Sequence, residues 1–226
     1  MKFLQTLLEA PLPDDWDKNI FKSRSPFSKQ LKYALERAKE VGRGSARVAF
    51  EIPYQGRKTV LKIALNRKGL AQNEEEVKIL ADKDIQKLGL TIPMIDFDEE
   101  NTQPKWIHVE YGEEVTDSKL EQYFSIPFEE IAEMVHQYER DERIVSSKNL
   151  NTLIRELTKY YGEAKVKTAR GWFDKLLQLC QDTGLDVRDM VRTHHQMREY
   201  NGKIVLVDLG GTKNVTQQYY GLSNSF

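Results

Sequence analysis

Four ionisable side chains stand out for where the sequence puts them. Lys62 lies inside the strand-like run Val60-Leu61-Lys62-Ile63-Ala64. Alternation sets Leu61 and Ile63 on one face and Lys62 with Val60 and Ala64 on the other. A cation on an otherwise apolar face either guards a sheet edge or needs a carboxylate or phosphate to compensate it. Glu74, Glu75 and Glu76 follow on a helical pattern. Glu76 shares a side with Ile79 and Leu80, so it is the glutamate placed to reach Lys62, with Glu75 as the fallback and the others solvated. Asp208 closes the apolar run Ile204-Val205-Leu206-Val207 and has Gly210 and Gly211 behind it. That position suits a metal-binding carboxylate, and it is equally a common strand-to-turn exit. Asp189 follows Arg188, past an apolar helix through Trp172 to Cys180 that ends at Gly184.

Two backbone segments could complete a nucleotide site. Gly42-Arg43-Gly44-Ser45-Ala46-Arg47 opens a hairpin, where small residues let amides approach phosphate oxygens. The same run also reads as a glycine helix stop before an ordinary strand. Trp106 to Glu110 alternates like a strand and runs into Tyr111-Gly112. At a junction between lobes, the backbone of Glu110 and Tyr111 would be free to bond an adenine; elsewhere it is a plain strand end.

The elements that must position these residues fall into two halves. A short helix and an irregular arm are expected over the first 27 residues, given Pro11, Pro13 and Pro26. Periodicity then predicts a helix from Ser28 to Val41, stopped by Gly42 and Gly44. Strands are expected at Arg47–Ile52 and Lys58–Ala64 around a Pro53-to-Gly56 turn, a helix over Lys68–Lys87, and strands at Ile92–Phe97 and Trp106–Glu110. Helical patterns dominate from Phe128 to Thr183, before a last strand at Lys203–Val207. Strands crowd the first half and helices the second, which predicts an α+β fold with two segregated lobes.

Composition narrows the function classes. The 226 residues hold 34 Lys and Arg against 35 Asp and Glu, a net charge of −1, so no general nucleic-acid or anionic-membrane footprint is expected. No apolar run reaches membrane-span length, and the run in Met1–Leu8 is too short for a secretory core. Cys180 is the single cysteine, expected as a buried core thiol. His194-His195 with His108 and His136 lack the spacing of a zinc site. Lys159, Lys165, Lys167 and Arg170 read as a solvated helix face, although Tyr160 and Tyr161 beside them leave room for a phosphate-rich partner.

In order, these pieces resemble the protein-kinase superfamily, and within it the small divergent kinase-like proteins of bacteriophages. The resemblance runs from about Val41 to Gly211. It implies a two-lobed protein-kinase-like fold with a strand-rich N-lobe and a reduced helical C-lobe. The division implied is an N-terminal arm and N-lobe over 1–109, then a hinge and C-lobe over 110–226. By the same resemblance, ATP and Mg2+ are the expected cofactors. Gly42, Gly44, Ser45, Lys62, Glu76, Glu110 and Tyr111 would bind nucleotide, with Val109 as gatekeeper. Asp189 would be the catalytic-loop aspartate that accepts the substrate proton, with Lys62 on the α- and β-phosphates. Asp208 would hold metal, and His194 stands where the second metal ligand, an asparagine, is usual.

The departures shape the functional expectation. Arg47 replaces a third glycine, Val187 replaces a histidine or tyrosine, and His194 offers magnesium a nitrogen where an oxygen ligand is wanted. The stretch after Asp208 is too short for the helical subdomain that binds protein substrates. The reading is therefore a nucleotide-cleft protein: a pseudokinase or a weak ATP-dependent phosphotransferase of phage type. The alternatives are an active small-molecule or protein kinase, and a virion-associated structural protein reusing the fold. A cytoplasmic location, in the host or within a virion, is implied, with a possible protein partner.

Overall fold

A computed structural model describes residues 12–22, 24–144, 148–192 and 194–220. The chain is mixed α+β and its contacts divide it into two units. Residues 12–81 and 93–111 form the first, and residues 82–92 and 112–220 the second. The dividing line thus falls after Tyr111, and a short segment before Pro93 counts with the second unit.

The first unit holds helix α1 (Phe27–Leu35), strands β1 (Lys39–Arg43), β2 (Arg47–Tyr54) and β3 (Arg57–Ala64), and helix α2 (Arg67–Ala81). Helix α3 (Lys83–Leu88) belongs to the second unit, and strands β4 (Met94–Phe97) and β5 (Trp106–Glu110) complete the first. The strands form one antiparallel sheet in the order β1-β2-β3-β5-β4. One sheet face carries Val48, Phe50, Ile52, Leu61, Ile63 and Trp106, buried with Leu12, Trp16, Phe21 and Ala34. Each such large side chain contributes roughly 1.5–3 kcal/mol by leaving water. The N-terminal arm is therefore part of the core where described: Trp16 stacks on Phe21, and the indole N–H of Trp106 donates to the Phe21 carbonyl at 3.1 Å. Of the first 27 residues, over which a short helix and an arm are expected, 1–11 lie outside the described residues, and the described part of the arm holds a 3-10 turn at Lys18–Phe21.

Two expectations are corrected here. The helix expected to reach Val41 stops at Leu35, and Lys39–Arg43 is an edge strand. All five of its residues are exposed, so its side chains alternate in nothing; its identity comes from backbone pairing, Lys39 opposite Glu51 and Arg43 opposite Val48. Gly42 therefore lies within a strand and Gly44 in a hairpin connection, neither as a helix stop. The helix expected over Lys68–Lys87 breaks at Asp82, whose extended backbone caps α3 by accepting from the amides of Asp84 and Ile85. The β2–β3 turn is tighter than expected, with Gln55 and Gly56 both at positive φ, the geometry that matches strand twist in a two-residue hairpin.

The second unit contains β6 (Glu113–Glu114), helices α4 (Asp117–Phe124), α5 (Phe128–Ile144), α6 (Lys148–Tyr161), α7 (Glu163–Thr183) and α8 (Val187–Val191), strands β7 (Met197–Tyr200) and β8 (Lys203–Leu206), and α9 (Lys213–Tyr220). Strands β6, β7 and β8 form a small antiparallel sheet. The core is built on α7: Trp172 meets Phe124 edge-on at 5.0 Å and its indole N–H points to the Ile204 carbonyl. Gly184, left-handed, ends α7 and returns its amide to the Cys180 carbonyl. Cys180 is buried, which pushes its thiol up to about 12 and makes it chemically quiet. Lys159, Lys165, Lys167 and Arg170 are exposed, as a solvated helix face should be. Among the described residues no helix is long and apolar enough to cross a membrane.

Gln30 of α1 is fully buried, and neither its amide oxygen nor its nitrogen has a hydrogen-bond partner. An unsatisfied buried polar group costs about 1–3 kcal/mol. Gln30→Met keeps the shape and removes the polar atoms, so it should raise the urea midpoint of unfolding. An unchanged or lowered midpoint would show that the amide is satisfied in solution.

Candidate functional site

Lys62 sits mid-sheet, opposite Ala49 of β2 and Ile107 of β5. Its side chain leaves the sheet on the face away from Leu61 and Ile63, where α2 packs. Lys62 is only 7% exposed, and its ammonium lies 2.5 Å from Glu76 Oε1. Glu76 has no exposure at all. Glu75, the fallback, pairs instead with Lys78 at the surface, at 2.9 Å.

Sequence reasoning missed the third member. Arg47, read only as a lost glycine, donates its guanidinium to Glu76 Oε2 and, at 3.3 Å, to Asn73 Oδ1. Asn73, also fully buried, passes its amide to the Pro104 carbonyl at 2.9 Å. The carboxylate thus receives a lysine from β3 on one oxygen and an arginine from β2 on the other. Alternation would have placed Arg47 correctly, since it shares a face with Ala49, the residue opposite Lys62.

Helix α2 reaches this depth because of a glycine. Gly69, Asn73, Glu76 and Leu80 form one buried stripe. A Cβ on Gly69 would stand 2.1 Å from the Ala46 carbonyl oxygen and 3.2 Å from the Ala64 Cα. Any side chain there would push the helix, and Glu76 with it, off the sheet.

The hairpin and strand-end residues sit in the same unit. Gly42, Gly44 and Ser45 are exposed in β1 and its connection to β2. The Gly44 amide is already spent on the Arg47 carbonyl at 2.9 Å, and the Ser45 carbonyl accepts from Asn66. Glu110 ends β5; its amide donates to the Pro93 carbonyl and its carboxylate meets Arg57 at 2.8 Å. Tyr111 lies under the Lys58 ammonium, 5.3 Å from the ring centre, a cation–π distance.

The remaining candidates lie in the second unit. Asp189 is on α8, exposed, and lines a groove of about 430 Å³ with His136 and Glu139 of α5. Partial burial and the neighbouring Asp186 charge raise its pKa, against Arg188 and Arg192. Asp186 is half-buried and caps α8 by accepting from the Arg188 amide at 2.9 Å. Burial alone would raise its pKa, but the Arg188 guanidinium and amide hold it below the usual carboxylate range. Arg188 is anchored in turn by Glu139 at 2.6 Å. The loop before α8 is tied to the segment after Asp208, because the Lys213 amide donates to the Gly184 carbonyl at 2.9 Å. Asp208 lies two residues beyond β8, exposed, with φ +65°. His194 begins a 3-10 turn, and its side chain lies outside the described residues. Among the described residues, no three His, Cys, Asp or Glu side chains converge as a metal-ligand set.

No family model matches the sequence, and no curated protein does. Among solved structures, the chain is similar to the aminoglycoside phosphotransferase APH(4)-Ia, at 13% identity and a TM-score of 0.33, over 81% of this chain and 71% of that one. It is also similar to a thermostable mutant of that enzyme, in ternary complex with AMP-PNP and hygromycin B, at 11% identity and a TM-score of 0.30, over 78% and 69% of the two chains.

Removing one partner from a buried ion pair costs about 3–5 kcal/mol, whereas a surface pair is worth about 0–1 kcal/mol. Glu76→Gln should therefore lower the unfolding midpoint sharply in urea, and Glu75→Gln hardly at all. Equally small effects would place both glutamates at the surface in solution.

Proposed function

We propose that the chain binds ATP with Mg2+ and is a pseudokinase or a weak ATP-dependent phosphotransferase. The observation that carries this reading is the buried Lys62–Glu76 pair, which joins β3 to the helix that follows it. A cation held inward by a carboxylate keeps further N–H donors for phosphate oxygens, and such charge-assisted bonds are strong ones. Apart from the Glu110 amide, which the Pro93 carbonyl holds, the backbone of Glu110 and Tyr111 at the end of β5 is the proposed adenine edge; Gly42, Gly44 and Ser45 are the proposed phosphate cover, with the Gly44 amide held by the Arg47 carbonyl. Asp208 is the proposed metal carboxylate, a hard oxygen ligand of the kind magnesium takes. His194, at the sequence position of a second ligand, supplies no such oxygen. One cation would then meet a developing charge that two normally share, which weakens transfer more than binding.

Two aspartates compete for the proton acceptor. Sequence spacing favours Asp189. Position favours Asp186, because its loop is bonded to the segment that follows Asp208, while Asp189 lines the groove beside α5. A carboxylate that takes a substrate proton cannot be replaced by an amide.

Titration calorimetry should detect ATP binding that Mg2+ strengthens and that Lys62→Met reduces by about tenfold or more, the loss of one charge-assisted bond. No heat with ATP, ADP or GTP, with or without Mg2+, would end the nucleotide reading. Where slow ATP turnover is measurable, Asp186→Asn should abolish it and leave binding intact. Asparagine caps a helix as well as aspartate does, so α8 survives the change. Turnover lost in Asp189→Asn and kept in Asp186→Asn would reverse the assignment.

A further inference from the structure

Arg47 is the feature that the nucleotide reading does not yet use. It is 8% exposed, and its guanidinium is divided between Glu76 Oε2 and Asn73 Oδ1. Lys62 takes the other carboxylate oxygen, Oε1. The two cations therefore hold Glu76 from separate strands, on separate oxygens. That arrangement matters when an anion arrives. A lysine that turns from a buried carboxylate towards phosphate would leave the carboxylate short of a donor, and an uncompensated buried charge is costly. With Arg47 in place, Glu76 keeps a charged donor while Lys62 divides its N–H groups between the carboxylate and a phosphate oxygen.

We infer that Arg47 is a positioning residue for polyphosphate binding: it holds Glu76 so that Lys62 is available to the phosphates. The inference rests on the nucleotide reading and adds to it a specific division of labour. Arg47 need not touch the ligand. It acts through Glu76, so its removal should cost affinity for the charged part of a nucleotide and not for the base or ribose. It also ties the base of the β1–β2 hairpin to α2 and, through Asn73, to the Pro104 carbonyl in the loop before β5. A purely structural role would lower stability and reduce affinity for every ligand alike.

The experiment compares ATP with adenosine by calorimetry on the full chain, in wild type, Arg47→Met and Lys62→Met, with thermal unfolding run in parallel. The expected result is an ATP affinity lowered about tenfold in Arg47→Met, with adenosine affinity unchanged. Arg47→Lys, which restores the charge on a side chain with fewer donors, should recover part of the loss. If Arg47→Met does not fold, Arg47→Gln keeps hydrogen-bond donors without the charge and should show the same fall in the ATP-to-adenosine ratio. A folded Arg47 variant with the wild-type ratio, alongside a Lys62→Met variant that has lost ATP, overturns the inference and leaves the nucleotide reading standing. Wild-type ATP affinity in Lys62→Met overturns both.

Discussion

A carboxylate without exposure cannot stay charged unless donors replace the water it has lost. Glu76 meets that condition with Lys62 and Arg47. The constraint runs outward from there. Lys62 must leave β3 on the α2 side, Arg47 must leave β2 on the same side, and α2 must sit close enough for one side chain to meet both. Closeness comes from Gly69, beneath which the Ala46 carbonyl leaves no room for a methyl group. Asn73, one turn before Glu76, then accepts a second hydrogen bond from the same guanidinium nitrogen, Nη1. A glycine, an amide and a carboxylate on one helical stripe form a single device.

The two faces of the sheet consequently do different work. The face towards α1 is mostly apolar, with a buried Thr59–His108 hydrogen bond, and is continuous with the N-terminal arm, where Trp16, Phe21, Tyr33 and Trp106 pack as an aromatic group. Burial there is non-directional and tolerates adjustment. The face towards α2 also buries apolar residues such as Ile107 and Val109, and it holds the directional ion pairs of Lys62 and Arg47 with Glu76. Replacing a buried ion pair by apolar residues of similar volume is often neutral or stabilising, so such clusters are weak evidence for stability. What the pairs do show is a defined geometry: the Lys62 ammonium is held against one oxygen of Glu76 and the Arg47 guanidinium against the other.

The sequence disclosed this site unevenly, for physical reasons. Lys62 and Glu76 were legible because a strand alternates every second residue and a helix every third or fourth, and both residues broke an apolar pattern. Arg47 broke a pattern as well, but it stands where a glycine-rich loop has a glycine, and that likeness masks the face it shares with Ala49. Strand β1 was illegible because none of its side chains is buried, and β6 is too short to alternate. The break at Asp82 did carry a signal, an aspartate able to cap a new helix, which continuing periodicity across residues 68–87 outweighed. Asp189 was placed by spacing alone, and the five residues of α8 offer too little periodicity to reveal which side it faces.

The second unit carries its candidate metal carboxylate on an uncommon backbone conformation. Gln55, Ser125, Asn201 and Asp208 are the described non-glycine residues with positive φ. Gln55 and Asn201 each precede a glycine in a two-residue turn between paired strands, and Ser125 is the left-handed cap of α4. In those places the conformation closes a hairpin or ends a helix. Asp208 does neither: β8 has already ended at Leu206, and α9 begins only at Lys213. Left-handed backbone costs an L-residue roughly 1–2 kcal/mol, less for aspartate, whose side chain bonds locally. Here the conformation leads the chain out of β8 into the turn at Leu209 and Gly210. The residue that bears it is the carboxylate proposed for magnesium, exposed and followed by buried Leu209, Gly210 and Thr212 that fix its base. The first unit thus holds a carboxylate by burying it between two cations, and the second carries an exposed one on left-handed backbone.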